Sequence, residues 1–492
     1  MTHRNDEIKP WKRLQDRWTL LAWAGVGLVI LWLTYRLPLT RAVALIGGSL
    51  LLATALIWPP VLLPAIALAV PFGPTLPMGG FAVGTADLLL ALLVGLVLLR
   101  GWAHRRFPWY PAPLTWPLLL YVGALLLSMK DAWSLRAAFP EFVKWLEILL
   151  FYLTLTALWV ERTGKRVREL VVTSLVLAAS LEALVGLGQF FLRIGPPGFL
   201  ILGRFLRAYG TFAQPNPYAG YLGLVLPLAL SVGLHDWGEL LHHLRDRARI
   251  PVRTWGGLLF YPVAAGVIGL GLLASWSRGG WLGMVAAVGT VFALRSRRAA
   301  AISAVLLFLL MAGVVLGLLG IMPAALSQRF QGLEDWTLFL RPVELRAIPV
   351  TGANFALVER MAHWWAAYAM WRDHPLTGVG VGNYPIAYET YRMPGWKEPL
   401  GHAHNMVLHV LAESGLIGLG AYVLMWLWIF LHALGTLPRV RGRERAILVG
   451  ALGGLVHLTV HNLFDNLYVH GMYLYVAVLI ALLTGPWATG DG

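Results

Sequence analysis

"GHAHNMVLHVLAESGLIGLGAYVLMWLWIFLHAL", residues 401–434, places two histidines and an asparagine immediately before an apolar run. The run from 406 to 434 is long enough to cross a hydrocarbon layer of about 30 Å as a helix. Similar runs recur near 19–37, 42–58, 61–72, 84–100, 114–129, 138–160, 169–193, 217–235, 255–275, 279–294, 299–321, 446–464 and 468–487. Hydrophobic residues make up 58% of the 492 and charged residues 13%. Composition therefore overrides the several soluble domains that length alone would suggest. The expectation is an all-α, polytopic helical membrane protein with about 12–14 transmembrane helices. Its parts would be an N-terminal transmembrane bundle over 1–321 with about 11 spans, one long extracytoplasmic loop or cover over 322–405, and about three spans over 406–492.

The first residues, "MTHRNDEIKPWKRLQDRW", are polar and basic and lead into a full-length apolar span, a pattern unlike a cleaved secretory leader. Cysteine is absent, which excludes disulfides, thiolate catalysis and cysteine-ligated metals. The net charge of +15 is explained by basic loops facing anionic membrane lipids, and no nucleic-acid partner is expected. With the N-terminus inside, segments 1–18, 100–113, 161–168, 236–254, 295–298 and 435–445 hold well over half of the 39 lysines and arginines, as cytoplasmic loops should. Residues 194–216, "SWSRGG" (275–280), the 322–405 segment, "GHAHN" (401–405) and "HNLFDN" (461–466) then all face outward, beyond the reach of cytoplasmic nucleotides.

Several outward groups could carry chemistry. In a helix beginning near Ala403, His404, Leu408, Leu411, Gly415 and Gly418 form one stripe, and the glycines Gly415, Gly418 and Gly420 let a second helix approach. His404 then sits at a helix N-terminus, which disfavours the imidazolium and leaves a nitrogen able to accept a proton. A hydrogen-bonded structural histidine fits the same pattern, but the adjoining Asn405 and the outward arginines favour the chemical role. His402 is expected to matter less. Arg204 and Arg207 in "GRFLRAYG", Arg278 in "SWSRGG" and Arg360 in "ERMAHWW" run against the charge bias. A guanidinium fork suits bidentate phosphate binding; snorkelling to headgroups is the alternative.

Other motifs are weaker. "QPNPYAG" (214–220) reads as Asn216 capping a helix whose first residue is Pro217, with a substrate contact from Asn216 as the second reading. "GVGVGN" (378–383) lacks the Lys-Ser/Thr of a nucleotide loop and reads as a backbone turn, its glycines flanking a mobile cover. Trp364, Trp365, Tyr368 and Trp371 have amphipathic-helix spacing, for anchoring or for stacking on sugar rings. His457, His461 and Asp465 recur at i, i+4 and i+8, a weak metal pattern; His461 and Asp465 read instead as acceptor-binding or helix-pairing groups. Within the spans, Asp87, Glu141, Lys144, Glu147 and Glu182 are what a transporter would need.

His404-Asn405, nine residues, then Gly415-x-x-Gly418 matches in full the H-[N/S/Q]-x9-G-x-x-G motif of a bacterial envelope family. Together with "QPNPYAG", "SWSRGG" and "HPLTGVGVGNYP" it makes residues 200–470 resemble the O-antigen ligase and O-antigen polymerase superfamily. The resemblance implies a GT-C-like glycosyltransferase of the cytoplasmic (inner) membrane that uses no metal or other cofactor and works on the periplasmic or extracellular face. It implies transfer of a glycan from a polyprenyl (undecaprenyl) pyrophosphate carrier to a hydroxyl of lipid A-core or another envelope acceptor. His404 would serve the acceptor hydroxyl, and Arg278 and Arg360 the pyrophosphate. Arg204, Arg207, Asn216, His402, Asn405, His461 and Asp465 are the expected substrate contacts. A polymerase extending the lipid-linked glycan is the alternative within the family; an exporter or flippase is the rival of a different class.

Overall fold

The computed structural model describes residues 38–78, 81–201, 203–246, 252–295, 298, 301, 340–351 and 354–485. The expected span at 19–37 lies outside them, as does that at 299–321 apart from residue 301. The chain divides into two units, residues 1–62 and 63–492. The described part of the first is helix α1 (Leu39–Ile57) and a short 3-10 turn at Pro59–Val61.

The second unit opens with α2 (Leu62–Phe72), a hairpin of β1 (Thr75–Met78) and β2 (Phe81–Gly84), α3 (Thr85–Ala103), α4 (Thr115–Ser128), α5 (Leu135–Val160) and α6 (Gly164–Leu192). A loop with two tiny strands, β3 (Leu200–Ile201) and β4 (Phe205–Leu206), leads to α7 (Pro215–Arg245), α8 (Val252–Ala274) and α9 (Arg278–Ala293). Three helices follow in the segment before α13: α10 (Pro342–Ala347), α11 (Phe355–Asp373) and α12 (Tyr384–Tyr391). The chain then continues through α13 (Met406–Thr436), α14 (Gly442–His461) and α15 (Met472–Leu482).

Among the described residues, α3, α5, α6, α7, α8 and α13 are long and apolar enough to cross a membrane. The protein is an integral, polytopic helical membrane protein. The other expected spans that are described appear as helices of 20 residues or fewer. The centre of the unit is α7, packed against α8, α9 and α14. The packing is close because α14 turns Gly450, Gly453 and Gly454 toward the α7 backbone at Leu224, Pro227 and Leu228, where a Cβ would collide. Small residues are how helices gain dispersion contact in a setting with no hydrophobic drive between them.

The two ends of this bundle are built differently. At one end Arg168 pairs with Glu444 (3.0 Å), Arg443 with Glu169 (3.0 Å) and with Asp236, and Arg445 donates to the Leu294 carbonyl. These contacts join the segments that the lysine and arginine distribution places inside. The other end joins only segments placed outside: Arg207 to Ser275, His402 and His404 to Asp465, and Thr377 to Asp131.

Three local expectations are corrected. The helix after "GHAHN" begins at Met406, with Asn405 as its N-cap accepting from the Leu408 N–H (3.1 Å), so His404 lies before the helix in the left-handed region at φ 52°. The glycine stripe is not a helix-packing seam. Gly415 leaves helical geometry altogether (φ 62°, ψ −161°), and a Cβ there would strike the Leu376 carbonyl. Gly418 makes room only for the Ser414 side chain of its own helix, and Gly420 faces open space. Finally, Gln214 caps α7 and Pro215 is its first residue, which puts Asn216 inside the first turn.

The break at Gly415 explains "GVGVGN". Leu416 and Ile417, released from their helical acceptors, donate to the carbonyls of Pro375 (2.9 Å) and Leu376 (3.1 Å). Val379 and Gly380 in turn donate to Ala412 (3.0 Å) and Glu413 (3.0 Å). The Glu413 carboxylate accepts from the N–H groups of Gly382 (2.8 Å) and Tyr384 (2.9 Å). The segment is therefore threaded into the broken helix, and its glycines are sites of close approach: Gly378 meets the Ala412–Ser414 backbone, Gly380 meets Ala132 and Gly382 meets Ala137. Close approach and positive φ together account for them. Irregular backbone beside a membrane helix is tolerated only when protein groups satisfy it.

Gly415→Ala should therefore lower the thermal unfolding temperature of the purified protein, since left-handed strain alone costs roughly 1–3 kcal/mol and the added methyl also clashes. Gly420→Ala, with nothing near its new Cβ, should leave that temperature unchanged. Equal melting of the two variants would contradict the docking described here.

Candidate active site

His404 reaches its place through the chain on both sides of it. Asn405 spends its amide oxygen on capping α13 and its amide nitrogen on the Leu463 carbonyl (3.2 Å), and Met406 N–H donates to Asn462 (2.8 Å). These bonds lash the start of α13 to the loop after α14. That loop carries Asp465, because α14 stops at His461 and the expected i, i+4, i+8 face is not continuous helix. The sequence pattern linked Asp465 to His457 and His461; the turn instead aims it at the two histidines of "GHAH". Asp465 Oδ1 lies 3.6 Å from His402 Nε2 and 3.7 Å from His404 Nδ1.

The tautomers follow from these contacts. The His404 N–H donates to His402 Nδ1 (3.1 Å), so that nitrogen bears no proton and the His402 proton sits on Nε2, toward Asp465. Burial and the adjacent His404 push His402 down to about 3, so it is neutral. His404 turns Nδ1 toward Asp465, and a proton held there leaves a lone pair on Nε2. Neither ring nitrogen of His404 has a hydrogen-bond partner within 3.5 Å among the described residues. Burial alone would raise the Asp465 carboxyl, but the neighbouring imidazoles of His404, His402 and His461 hold it well below the usual carboxylate range. The His–Asp separations exceed a formed hydrogen bond and match the loose contacts that tighten when substrate binds.

Three arginines converge beside this group. Arg278 is the first residue of α9, held there by Ser277, whose side chain accepts from Gly280 N–H (3.2 Å). Arg207 is tied to the same turn by donating to the Ser275 carbonyl (2.9 Å), and it reaches Asn216 Oδ1 at 3.5 Å. Arg360 projects from α11 with its Nε buried and unpartnered among the described residues. Burial, then the charges of Arg278 and Arg360, lower the Arg207 guanidinium. Burial also lowers Arg360, opposed by Asp465 and reinforced by Arg278. Three cations that act on one another, with Arg360 also feeling the Asp465 and Glu359 carboxylates, make a site that attracts a multivalent anion.

The remaining candidates fall elsewhere. Arg204 is exposed, its guanidinium over the Phe205 ring. His457 and His461 are buried in hollows left by Gly223, Gly279 and Gly283, with His461 Nδ1 3.4 Å from His457 Nε2. Of the tryptophan-rich helix, Trp364, Trp365 and Tyr368 pack against the buried cluster of Leu345, Val358, Met361 and Met393. One participant was missed: His363, on α11 one turn beyond Arg360. It stands edge-on to His404 at 5.6 Å, stacks on Tyr388 and bonds Tyr384 Oη (2.9 Å). Its i+3 spacing from Arg360 was the available signal. Burial and His404 push it down to about 3.

His402, His404 and Asp465 could each offer one ligand atom to a single metal ion. His402 Nδ1 is already engaged, and the arginine charges oppose a dication beside Asp465. The set is better suited to moving a proton next to a bound anion.

Residues 263–423 match the Wzy_C family, described as O-antigen ligase. The match takes in Arg278, Arg360, His402, His404 and Asn405, but not Arg207 or Asp465. No curated protein matches the chain.

His402 and His363 titrate near 6.5 when unfolded and near 3 when folded. Below pH about 6.5 the unfolded chain takes up protons that the folded one refuses, so stability should fall as pH drops from there toward 3. His402→Gln and His363→Gln should each make that fall shallower, read as melting temperature against pH. An unchanged slope in both would contradict the neutral assignment.

Proposed function

We propose that the chain, whose residues 263–423 match the O-antigen ligase family, transfers a glycan from a polyprenyl (undecaprenyl) pyrophosphate carrier to the hydroxyl of an envelope acceptor, such as lipid A-core. The reaction takes place on the outer face of the cytoplasmic membrane. The observation that carries this reading is the meeting, at one end of the bundle, of an unpartnered His404 Nε2 beside Asp465 and three guanidiniums that act on one another, Arg360 also on Asp465.

In this reading Arg207, Arg278 and Arg360 hold the pyrophosphate, Arg278 from the membrane body and Arg360 from the outward segment. The acceptor hydroxyl approaches His404 Nε2, which removes its proton as the oxygen attacks the anomeric carbon. The bond from that carbon to the pyrophosphate oxygen breaks, and the departing charge is spread over the guanidiniums. Asp465 keeps the proton on Nδ1 and stabilises the imidazolium that forms, and His402 supports Asp465. The glycan is already activated by its pyrophosphate linkage, so no nucleotide is needed. A carrier lipid also accounts for a site at bilayer level. The half-buried charges Asp87, Glu141, Lys144 and Glu147 line a cavity that includes none of the residues named for this chemistry.

His404→Ala should slow transfer by about 10²–10⁴-fold, the usual loss for a general base, in a purified, folded preparation supplied with lipid-linked glycan and acceptor. Arg278→Lys and Arg360→Lys keep charge but lose the fork. Each should cost about one to two orders of magnitude in turnover, from the roughly 1.5–3 kcal/mol of a charge-assisted contact. Near-normal turnover in His404→Ala would remove the base. Full activity in both lysine variants would reduce the arginines to anchors.

A further inference from the structure

Away from the arginines, the outer end holds a cavity of about 660 Å³, within the roughly 300–1,000 Å³ range of small-molecule sites. It is framed by the β1–β2 hairpin and the starts of α3, α5 and α15. Its other wall comes from the two loops that also build the reactive centre. The loop bearing Arg207 runs on to Thr211 and Phe212, and the loop bearing Asp465 runs on to Tyr468–Gly471.

The lining chemistry is unlike that of the arginine site. Asp87, Glu141 and Glu147 face it with one compensating cation, Lys144, which already pairs with Glu141 at 2.5 Å. Asp87 accepts from Tyr473 Oη (2.6 Å) and from Gly84 N–H (2.8 Å). The excess of carboxylates opposes a phosphate or an acidic sugar. Phe139, Phe212 and Val143 add apolar wall beside these acceptors. A ligand that fits must offer many hydrogen-bond donors on one edge and a flat C–H face on the other. A pyranose does both: its hydroxyls donate to carboxylates and its ring face lies on an aromatic side chain.

We propose that this cavity is a glycan subsite that binds a short, uncharged sugar segment next to the reactive centre. The inference rests on the transferase reading and deepens it: the pyrophosphate goes to the arginines, and the sugars of donor or acceptor go to the carboxylate-lined cavity. Glu147 and Asp87 are then specificity-determining residues with no part in the proton transfer.

The cysteine-free chain permits a direct test. Thr75→Cys puts a single thiol on the exposed rim of the cavity. Its rate of alkylation by a membrane-impermeant maleimide would be followed in nanodiscs of phosphatidylcholine and phosphatidylglycerol. Isomaltotetraose or tetra-N-acetylchitotetraose should slow the reaction about threefold at about twice the Kd; tetragalacturonate should not. Adding Glu147→Gln or Asp87→Asn should raise the sugar concentration needed for that protection roughly tenfold or more. Adding His404→Ala should leave it intact, so protection survives even if the transfer reading fails. In turnover assays the same carboxylate variants should raise KM with little change in kcat. A higher KM for the lipid-linked donor assigns the subsite to the donor glycan, and a higher KM for the acceptor assigns it to the acceptor glycan. The proposal is overturned by absence of protection from either neutral sugar, by equal protection from the acidic one, or by protection indifferent to both carboxylates. It is also overturned by slowing from phosphatidylethanolamine nanodiscs alone, which would assign the cavity to a lipid headgroup.

Discussion

The break in α13 at Gly415 is the constraint on which the end of the molecule that holds the candidate site depends. A helix entering the bilayer normally exposes no backbone donors along its length. Here Leu416 and Ile417 are freed and are taken up by Pro375 and Leu376. The segment that satisfies them continues through Asn383, whose side chain accepts from Ser134 N–H at the start of α5 (2.7 Å). One irregular residue thus fastens α11 and α12 to α13 and α5. Because α11 carries both Arg360 and His363, the same fastening sets their place beside His404. The free-energy cost of a left-handed, crowded glycine is met by hydrogen bonds that no continuous helix could offer.

Asp465 is the electrostatic counterpart of that mechanical joint. A carboxylate this buried would ordinarily take up a proton. It remains ionised because the imidazoles packed around it, His404 foremost, hold its carboxyl below the usual range. Its charge in turn sets the tautomers of two histidines and offsets part of the repulsion among the arginines. His404 pays for its position with a strained φ of 52°, the kind of outlier that clusters where function over-determines the backbone. Proton acceptor and anion site are therefore parts of one charge arrangement, and a change at Asp465 should be felt at both.

Much of this could be read from residue order. Hydropathy located the described spans to within a few residues at most ends, and the lysine and arginine distribution sorted the connections into the same two groups that the ion pairs and loop contacts join. The H-N-x9-G-x-x-G spacing marked His404, and outward arginines marked Arg207, Arg278 and Arg360. The errors have physical causes. Glycine spacing alone cannot separate a residue that admits a neighbouring helix from one that abandons helical geometry, so Gly415 looked like a packing residue. Helical periodicity extrapolated past His461 put Asp465 on the wrong surface, because nothing in "HNLFDN" announces that the helix ends before the aspartate. The partnership of Asp465 with His402 and His404 joins residues about sixty positions apart, and no local pattern encodes it. His363 was lost among aromatic neighbours that read as membrane anchors.

The central claim is that the arginine cluster is a pyrophosphate site on a lipid carrier. It is tested most directly by titrating reconstituted protein with polyprenyl pyrophosphate bearing no glycan, with polyprenyl monophosphate as the comparison, and following the ³¹P resonances. The account predicts saturable binding that favours the pyrophosphate, weakened when Arg207, Arg278 or Arg360 is replaced by alanine and preserved in His404→Ala. Equal binding of the two lipids, or binding indifferent to all three arginines, would contradict it.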